Sequence, residues 1–141
     1  MEKTLKLDIV SAEEPIYSEN VKMLVISGEL GELGVMPNHT PLLTKIKPGH
    51  IRVNTLENEE KLFYVSGGLL EIQPYVTTVL ADTIIRAEDL DEDAATAARE
   101  RAEQALSGKE EKISREEAIS QLNEAIAKLR VIRELRDLTK R

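Results

Sequence analysis

The sequence predicts an α+β chain, mainly β and then α. An N-terminal antiparallel β-sandwich is followed by a C-terminal two-helix antiparallel hairpin. Two observations predict this. All five prolines and six of the seven glycines lie before Arg86, whereas ten of the twelve alanines lie after it. Apolar residues also recur with period two in the first part and at spacings of three and four in the second, the signatures of strand and helix. The break gives a sandwich over residues 1–86 and a helical hairpin over 87–141.

Leu5, Leu7 and Ile9 alternate with Lys6 and Asp8, which predicts a strand with one buried face. Short runs follow at Val21–Ile26, His50–Leu56, Lys61–Val65, Leu69–Gln73 and Val76–Ala81. Glu57-Asn58-Glu59-Glu60, Ser66-Gly67-Gly68 and Pro74-Tyr75 separate the later ones as turns. The stretch Gly28 to Gly49 reads as shaped loops between short strands. Gly28, Gly31 and Gly34 permit positive φ, while Pro37, Pro41 and Pro48 fix φ and forbid interior strand pairing.

After Arg86 the period changes. Asp89 or Asp91 can cap a helix with an acidic first turn, and Gly108 is placed to end it. Ala94, Ala98, Ala102 and Ala105 form one side at spacings of four, four and three. Such a face lets a neighbour approach closely but buries little area. Ser114 and Glu117 make a capping box for a second helix. Ala118, Leu122, Ala125, Leu129 and Ile132 then recur as a seam. Only Lys109 to Ile113 join the two helices, so they fold back on each other. An alanine-rich seam holds them weakly, as suits a moving element.

At 141 residues there is room for one domain, or a small domain and an appendage. Hydrophobic residues at 41% and charged residues at 32% describe a soluble globular chain, and 3% aromatics leave Val, Ile and Leu to build its core. The lack of cysteine excludes disulfides, thiol catalysis and thiolate metal sites. No run approaches the ~20 apolar residues of a membrane span, and Met1-Glu2-Lys3-Thr4 leads straight into the first strand without a signal peptide. A cytoplasmic chain is expected, with no direct membrane insertion and any membrane association made through a protein partner. The net charge of −7 argues against nucleic acid. Residues 128–141 nevertheless hold six cations against two carboxylates, a net +4, so residues 1–127 carry −11. A basic tail on an acidic body points to an acidic partner surface.

No constellation for chemistry emerges. Gly28-x-x-Gly31-x-x-Gly34 is followed by neither Gly-Lys-Ser/Thr nor a helix and is no phosphate loop. His39 and His50, without cysteine, make a poor metal pair and read as hydrogen-bonded or interface histidines. Glu57, Glu59 and Glu60 read as a solvated turn. Cations near a helix C-terminus complement its dipole, but six exceed that need.

Five words in order resemble the epsilon subunits of bacterial F-type, proton-translocating ATP synthases: LDIVSAE (7–13), GELGVMPNHTPLLTKIKPG (31–49), YVSGGLLEIQP (64–74), TVLADTIIR (78–86) and AIAKLRVI (125–132). The resemblance implies a non-catalytic, cofactor-free subunit of the central stalk. Its sandwich would link the gamma subunit to the membrane c-ring and support the coupling of proton flow to ATP synthesis. Its hairpin would either lie folded or extend and inhibit ATP hydrolysis by the alpha/beta hexamer. Such a subunit lies peripherally on the cytoplasmic face of the bacterial inner membrane. By the same resemblance, Glu32 with Gly31 faces the c-ring, His39 with Pro41 approaches gamma, and Arg130, Arg133 and Arg136 form an inhibitory tail. Some relatives bind ATP on the hairpin through an [Ile/Leu]-Asp-x-x-Arg-Ala motif. Here Asp91 is retained but Ala94 replaces the arginine, and Glu124 stands near the place of the second helix's arginines. Without those guanidinium donors a nucleotide site is not expected. A free-standing sandwich enzyme lacks any catalytic set; the alternative is a generic β-sandwich/coiled-coil adaptor with no rotary role, and a coiled-coil role alone fits the helices but leaves the sandwich unexplained.

Overall fold

The computed structural model describes residues 3–108 and 113–140. The chain forms two compact units, Met1–Arg86 and Ala87–Arg141. The first holds eight strands: β1 (Leu5–Ser11), β2 (Pro15–Gly28), β3 (Gly31–Val35), β4 (Leu42–Thr55), β5 (Glu60–Val65), β6 (Gly68–Ile72), β7 (Thr77–Ala81) and β8 (Ile84–Arg86). Their order is β3-β2-β1-β7-β6-β4-β5-β8, and an added β2–β4 pairing closes β1, β2, β4, β6 and β7 into a ring. The unit is thus a sandwich drawn round into a flattened barrel, with β3 and β8 outside the ring.

Two long strands make the closure possible. The first half of β2 pairs with β1, through Val21, and its second half lies between β3 and β4. On its side away from β2, β4 pairs with β6 as far as Ile46 and with β5 from Gly49 onward. Pro48 sits in the gap between those ladders. A proline was expected to forbid interior pairing; β4 runs through this one because the strand changes partner there, so no ladder bond is lost. All pairs are antiparallel except β1–β7, which is parallel.

The core follows from the alternation. Leu7, Ile9, Leu70 and Val79 share one fully buried apolar cluster with Ile26, Ile51 and Val53, each such side chain contributing roughly 1.5–3 kcal/mol on burial. At its margin Tyr17 meets Phe63 edge-on at 5.8 Å. Lys61 lies over Tyr17 and Arg86 over Phe63, both at 5.5 Å.

The stretch expected to be loops is more ordered than its glycines suggest. Glu29 and Leu30 alone make the β2–β3 turn, with Gly28 paired to Gly31, and Gly31–Val35 is a strand. Pro37 and Asn38 form the next turn, where Asn38 has φ 68° and the His39 N–H donates to the Met36 carbonyl at 3.2 Å. Proline followed by a positive-φ residue is the pattern of a type II turn. Gly68 is required sterically: its φ is 153°, and a Cβ there would stand 1.9 Å from the Leu80 carbonyl oxygen.

The second unit holds a 3₁₀ turn (Ala87–Asp89), α1 (Glu92–Leu106) and α2 (Arg115–Thr139). Asp91 caps α1, its side chain accepting from Ala94 N–H at 3.0 Å, and Ser114 caps α2 by accepting from Glu117 N–H at 3.1 Å. Gly108, at φ 81°, follows the last turn of α1. The connection from Lys109 to Lys112, like Arg141, lies outside the described residues. On α1 the seam is shifted by one residue at its start. Ala95 and Ala102 are buried, whereas Ala94 is exposed. Ala95, Ala98, Ala102 and Ala105 keep the three-four-three spacing that Ala94 breaks. On α2, Ala118, Ala125 and Ile132 are buried at sevenfold spacing, with Leu122 and Leu129 half-buried between them. Ala127 and Val131 are buried as well. At 100° per residue they fall on the opposite side of α2.

Candidate functional site

The sandwich presents its candidate contacts at the two ends of β3. At the first end stands Glu32. The sequence places it in a turn, but it is the second residue of β3, paired with Ser27 of β2. The turn is tighter than expected and is complete by Gly31. Glu32 is therefore set by a ladder, and its exposed carboxylate comes within 3.1 Å of His50 Nε2. Ser27 lies between the two: its Oγ accepts from the His50 backbone N–H at 3.4 Å. Gly49 makes this approach possible, since a Cβ there would stand 2.4 Å from Ser27 Oγ. The apex residue Leu30 is fully exposed.

At the other end stands His39. Its Nδ1 lies 2.6 Å from the Thr40 carbonyl oxygen, so Nδ1 carries the proton in that contact. His39, Met36, Asn38 and Tyr75 help line a small cavity of about 70 Å³. Met36, Leu43 and Tyr75 are 59%, 64% and 91% exposed. With Pro41 and Leu42 also exposed, this end offers an apolar rim round a histidine. His39 and Pro41 are candidates from the sequence, whereas the apolar side chains beside them emerge only in the fold. The signal was present in Leu42-Leu43: successive side chains of a strand cannot both face the core, and here both are exposed.

Glu32 and His39 are thus separated along β3 and do not form one site. The basic residues of α2 also divide. Arg130 and Arg133 are exposed. Arg136, 59% exposed at its side chain, donates to the Glu92 carboxylate in the first turn of α1. Asp91 is occupied by its capping bond, and Ala94 presents only a methyl group to solvent. Arg99 is engaged with Glu103 at 3.4 Å. No guanidinium-lined cradle for phosphate is therefore built round Asp91 among the described residues. Nor do the described residues hold a group of three His, Cys, Asp or Glu placed for a metal ion. No described helix is long and apolar enough to cross a membrane.

Burial, then the carboxylates of Glu19 and Glu57, push the Tyr17 phenol above its ordinary 10.0, against an opposing pull from Arg86.

Comparison with known proteins accounts for nearly the whole chain. Residues 4–87 match the sequence model of the ATP synthase delta/epsilon chain beta-sandwich domain, and residues 88–133 that of its long alpha-helix domain. The chain is 54% identical over 136 residues to the ATP synthase epsilon chain of Nitrosococcus oceani, covering 96% of this chain and 97% of that one. It is 49% identical over 137 residues to the epsilon chain of a Janthinobacterium species, covering 96% and 98%. A chain of the Euglena gracilis mitochondrial ATP synthase (OSCP/F1/c-ring) shares the fold, with TM-score 0.73 at 19% identity over 96% of this chain and 81% of that one. A chain of the Tetrahymena thermophila mitochondrial ATP synthase central stalk and c-ring gives TM-score 0.52 at 11% identity, over 78% and 100%.

Proposed function

The chain belongs to the ATP synthase delta/epsilon family, a non-catalytic subunit of that complex, and on this premise we propose how its two units divide the work. Residues 1–86 form a stalk domain that links gamma to the c-ring and supports coupling of proton flow to ATP synthesis. Residues 87–141 form a regulatory hairpin that restrains ATP hydrolysis by the alpha/beta hexamer. The subunit sits peripherally on the cytoplasmic face of a bacterial inner membrane.

The observation that carries this reading is the separation of two contact groups on one rigid shell. Glu32, with Gly31 beside it, is a ladder-fixed carboxylate at one end of β3, suited to the polar loops of a ring. His39 and Pro41, with Met36, Leu43 and Tyr75, form an apolar rim at the other, suited to the side of a helical shaft. Strand pairing that closes on itself resists shear between the two ends, as a rotor part must. In the hairpin, Arg130 and Arg133 offer positive charge to an acidic partner, and Arg136 joins them when its bond to Glu92 opens. The hairpin acts without bound nucleotide, since Ala94 stands where an arginine donor would be needed.

The test is ATP hydrolysis by the purified complex with the full chain and with residues 1–86 alone. The shortened chain should co-purify with gamma and raise hydrolysis. A shortened chain that binds gamma and leaves hydrolysis unchanged would remove the regulatory role. Failure of the full chain to co-purify with gamma would favour an adaptor with no rotary role.

A further inference from the structure

We propose that His50 is a positioning residue for the ring contact, holding the Glu32 carboxylate so that one oxygen is engaged before the partner arrives. This rests on the reading of Glu32 as a ring contact given above. A glutamate on an edge strand has three rotatable bonds and, left to itself, samples many orientations; fixing it on binding costs side-chain entropy. Glu32 is not left to itself. Its Oε2 lies 3.1 Å from His50 Nε2, with the glutamate side chain 56% exposed and the histidine side chain only 12%. The mobile partner is thus held by the enclosed one. A carboxylate only accepts hydrogen bonds, so in this pair the imidazole can serve Glu32 only as a donor, from Nε2, which leaves the second oxygen for an incoming donor such as a backbone amide or a lysine.

His50 is itself fixed from two neighbouring strands. It is paired with Tyr64 in the β4–β5 ladder, and its N–H donates to Ser27 Oγ on β2. Ser27 is in turn the register partner of Glu32 on β3. Gly49 leaves the space into which Ser27 fits. Position 49 thus admits the serine, the serine anchors the histidine backbone, and the histidine holds the glutamate. The pair is half in solvent, so it adds little to folding stability; its value is orientation.

The experiment measures attachment of the complex's soluble portion to membrane vesicles that carry the ring and have been stripped of all else. The variants are Glu32→Gln, His50→Leu, His50→Gln and the double variant Glu32→Gln/His50→Leu. Glu32→Gln and His50→Leu should each weaken attachment about three- to tenfold. The double variant should be no weaker than the worse single one, because both changes remove one interaction. His50→Gln keeps an N–H donor of similar reach and should stay within about twofold of the wild type. In the isolated full chain, the Glu32 carboxyl carbon NMR signal should move in His50→Leu and return towards its original position in His50→Gln. Normal attachment of His50→Leu beside weakened Glu32→Gln would overturn the positioning role and leave the contact standing. Normal attachment of Glu32→Gln would overturn both. Equal damage from His50→Gln and His50→Leu would show that the histidine acts by bulk and not as a donor, which also overturns the proposal.

Discussion

Arg136, one turn from the end of α2, donates to the carboxylate of Glu92 in the first turn of α1. The pair joins the helices at the end remote from the Gly108–Ser114 connection. It also neutralises one of the three arginines proposed to act on the hexamer.

Breaking this bond should loosen the hairpin and restoring it in reverse should close it again. Both side chains are about half exposed, so the pair is worth ~0.2–1 kcal/mol, or about 1.5- to 5-fold in the closed population. Spin labels on α1 and α2 should report a larger open fraction in Glu92→Gln and in Arg136→Ala. The exchanged pair Glu92→Arg/Arg136→Glu should recover most of the closed state. Open fractions that do not differ would show that the alanine seam alone holds the helices.

Removing Arg130, Arg133 and Arg136 together should weaken inhibition by the extended hairpin. Each exposed pair with an acidic partner is small, but three sum to roughly 1–3 kcal/mol. Hydrolysis by the complex should rise in the triple Arg→Ala variant at low salt, and the difference should shrink as salt screens the wild type. Inhibition that is equal at all ionic strengths would mean that shape, not charge, does the blocking.

Gly68 and Gly31, two of the four glycines at positive φ, should differ in what they tolerate. Gly68→Ala places a Cβ 1.9 Å from the Leu80 carbonyl oxygen, where the β6–β7 ladder cannot yield. It should cost several kcal/mol, on the order of the strain and overpacking terms combined, and prevent stable folding. Gly31→Ala meets nothing within 4 Å at its φ of 131° and should cost ~1 kcal/mol. Denaturant unfolding of the two variants distinguishes them, and equal midpoints would refute the steric distinction.

Alkaline stability should carry the mark of Tyr17. Its phenol is raised in the fold, so below the ordinary value of 10.0 both states hold the proton and the contribution is complete. As pH rises past that value the unfolded chain ionises first, and stability falls until the folded phenol also ionises. Tyr17→Phe should flatten this loss while leaving neutral-pH melting within about 1.5 kcal/mol of the wild type. A loss of the same slope in the variant would place its origin in other groups.

Ile51→Ala should be more harmful than any surface change. The side chain is fully buried in β4, the strand shared by both halves of the ring. A cavity there should cost ~2–5 kcal/mol by denaturant melting; a loss below 1 kcal/mol would mean the barrel collapses to fill it.

What could be read from the sequence was whatever local chemistry decides. Leu5, Leu7 and Ile9 face the core as their alternation requires, and Asp91 and Ser114 cap the helices where they stand in the chain. What could not be read was decided by partners distant in sequence. Gly31–Val35 is a strand because β2 accepts it as an edge, although its glycines argue for a loop. Pro48 lies within β4 because two ladders leave a gap for it. Ala95 takes the seam from Ala94 because the facing helix sets the angle, and two adjacent alanines give no pattern to choose between them. The candidate contacts were legible as residues but not as surroundings. Glu32 and His50 meet only after β3 and β4 have both been placed against β2, and His39 gains its apolar rim only when the β6–β7 turn brings up Tyr75.

The parallel pairing of β1 with β7 has a consequence for synthesis. Leu7 lies opposite Thr77, so β1 waits during synthesis for a neighbour made about seventy residues later. At ~5–20 residues per second that is a delay of several seconds. Through it β1 can pair with β2 on one side, but its other edge stays unsatisfied and available to any strand that drifts near. The ring cannot close until Ala81 has emerged. Translation that stalls between Val35 and Thr77 therefore leaves β1 without its parallel neighbour, and an unpaired edge of that kind, unlike the closed ring of the finished unit, is a template for pairing with another chain.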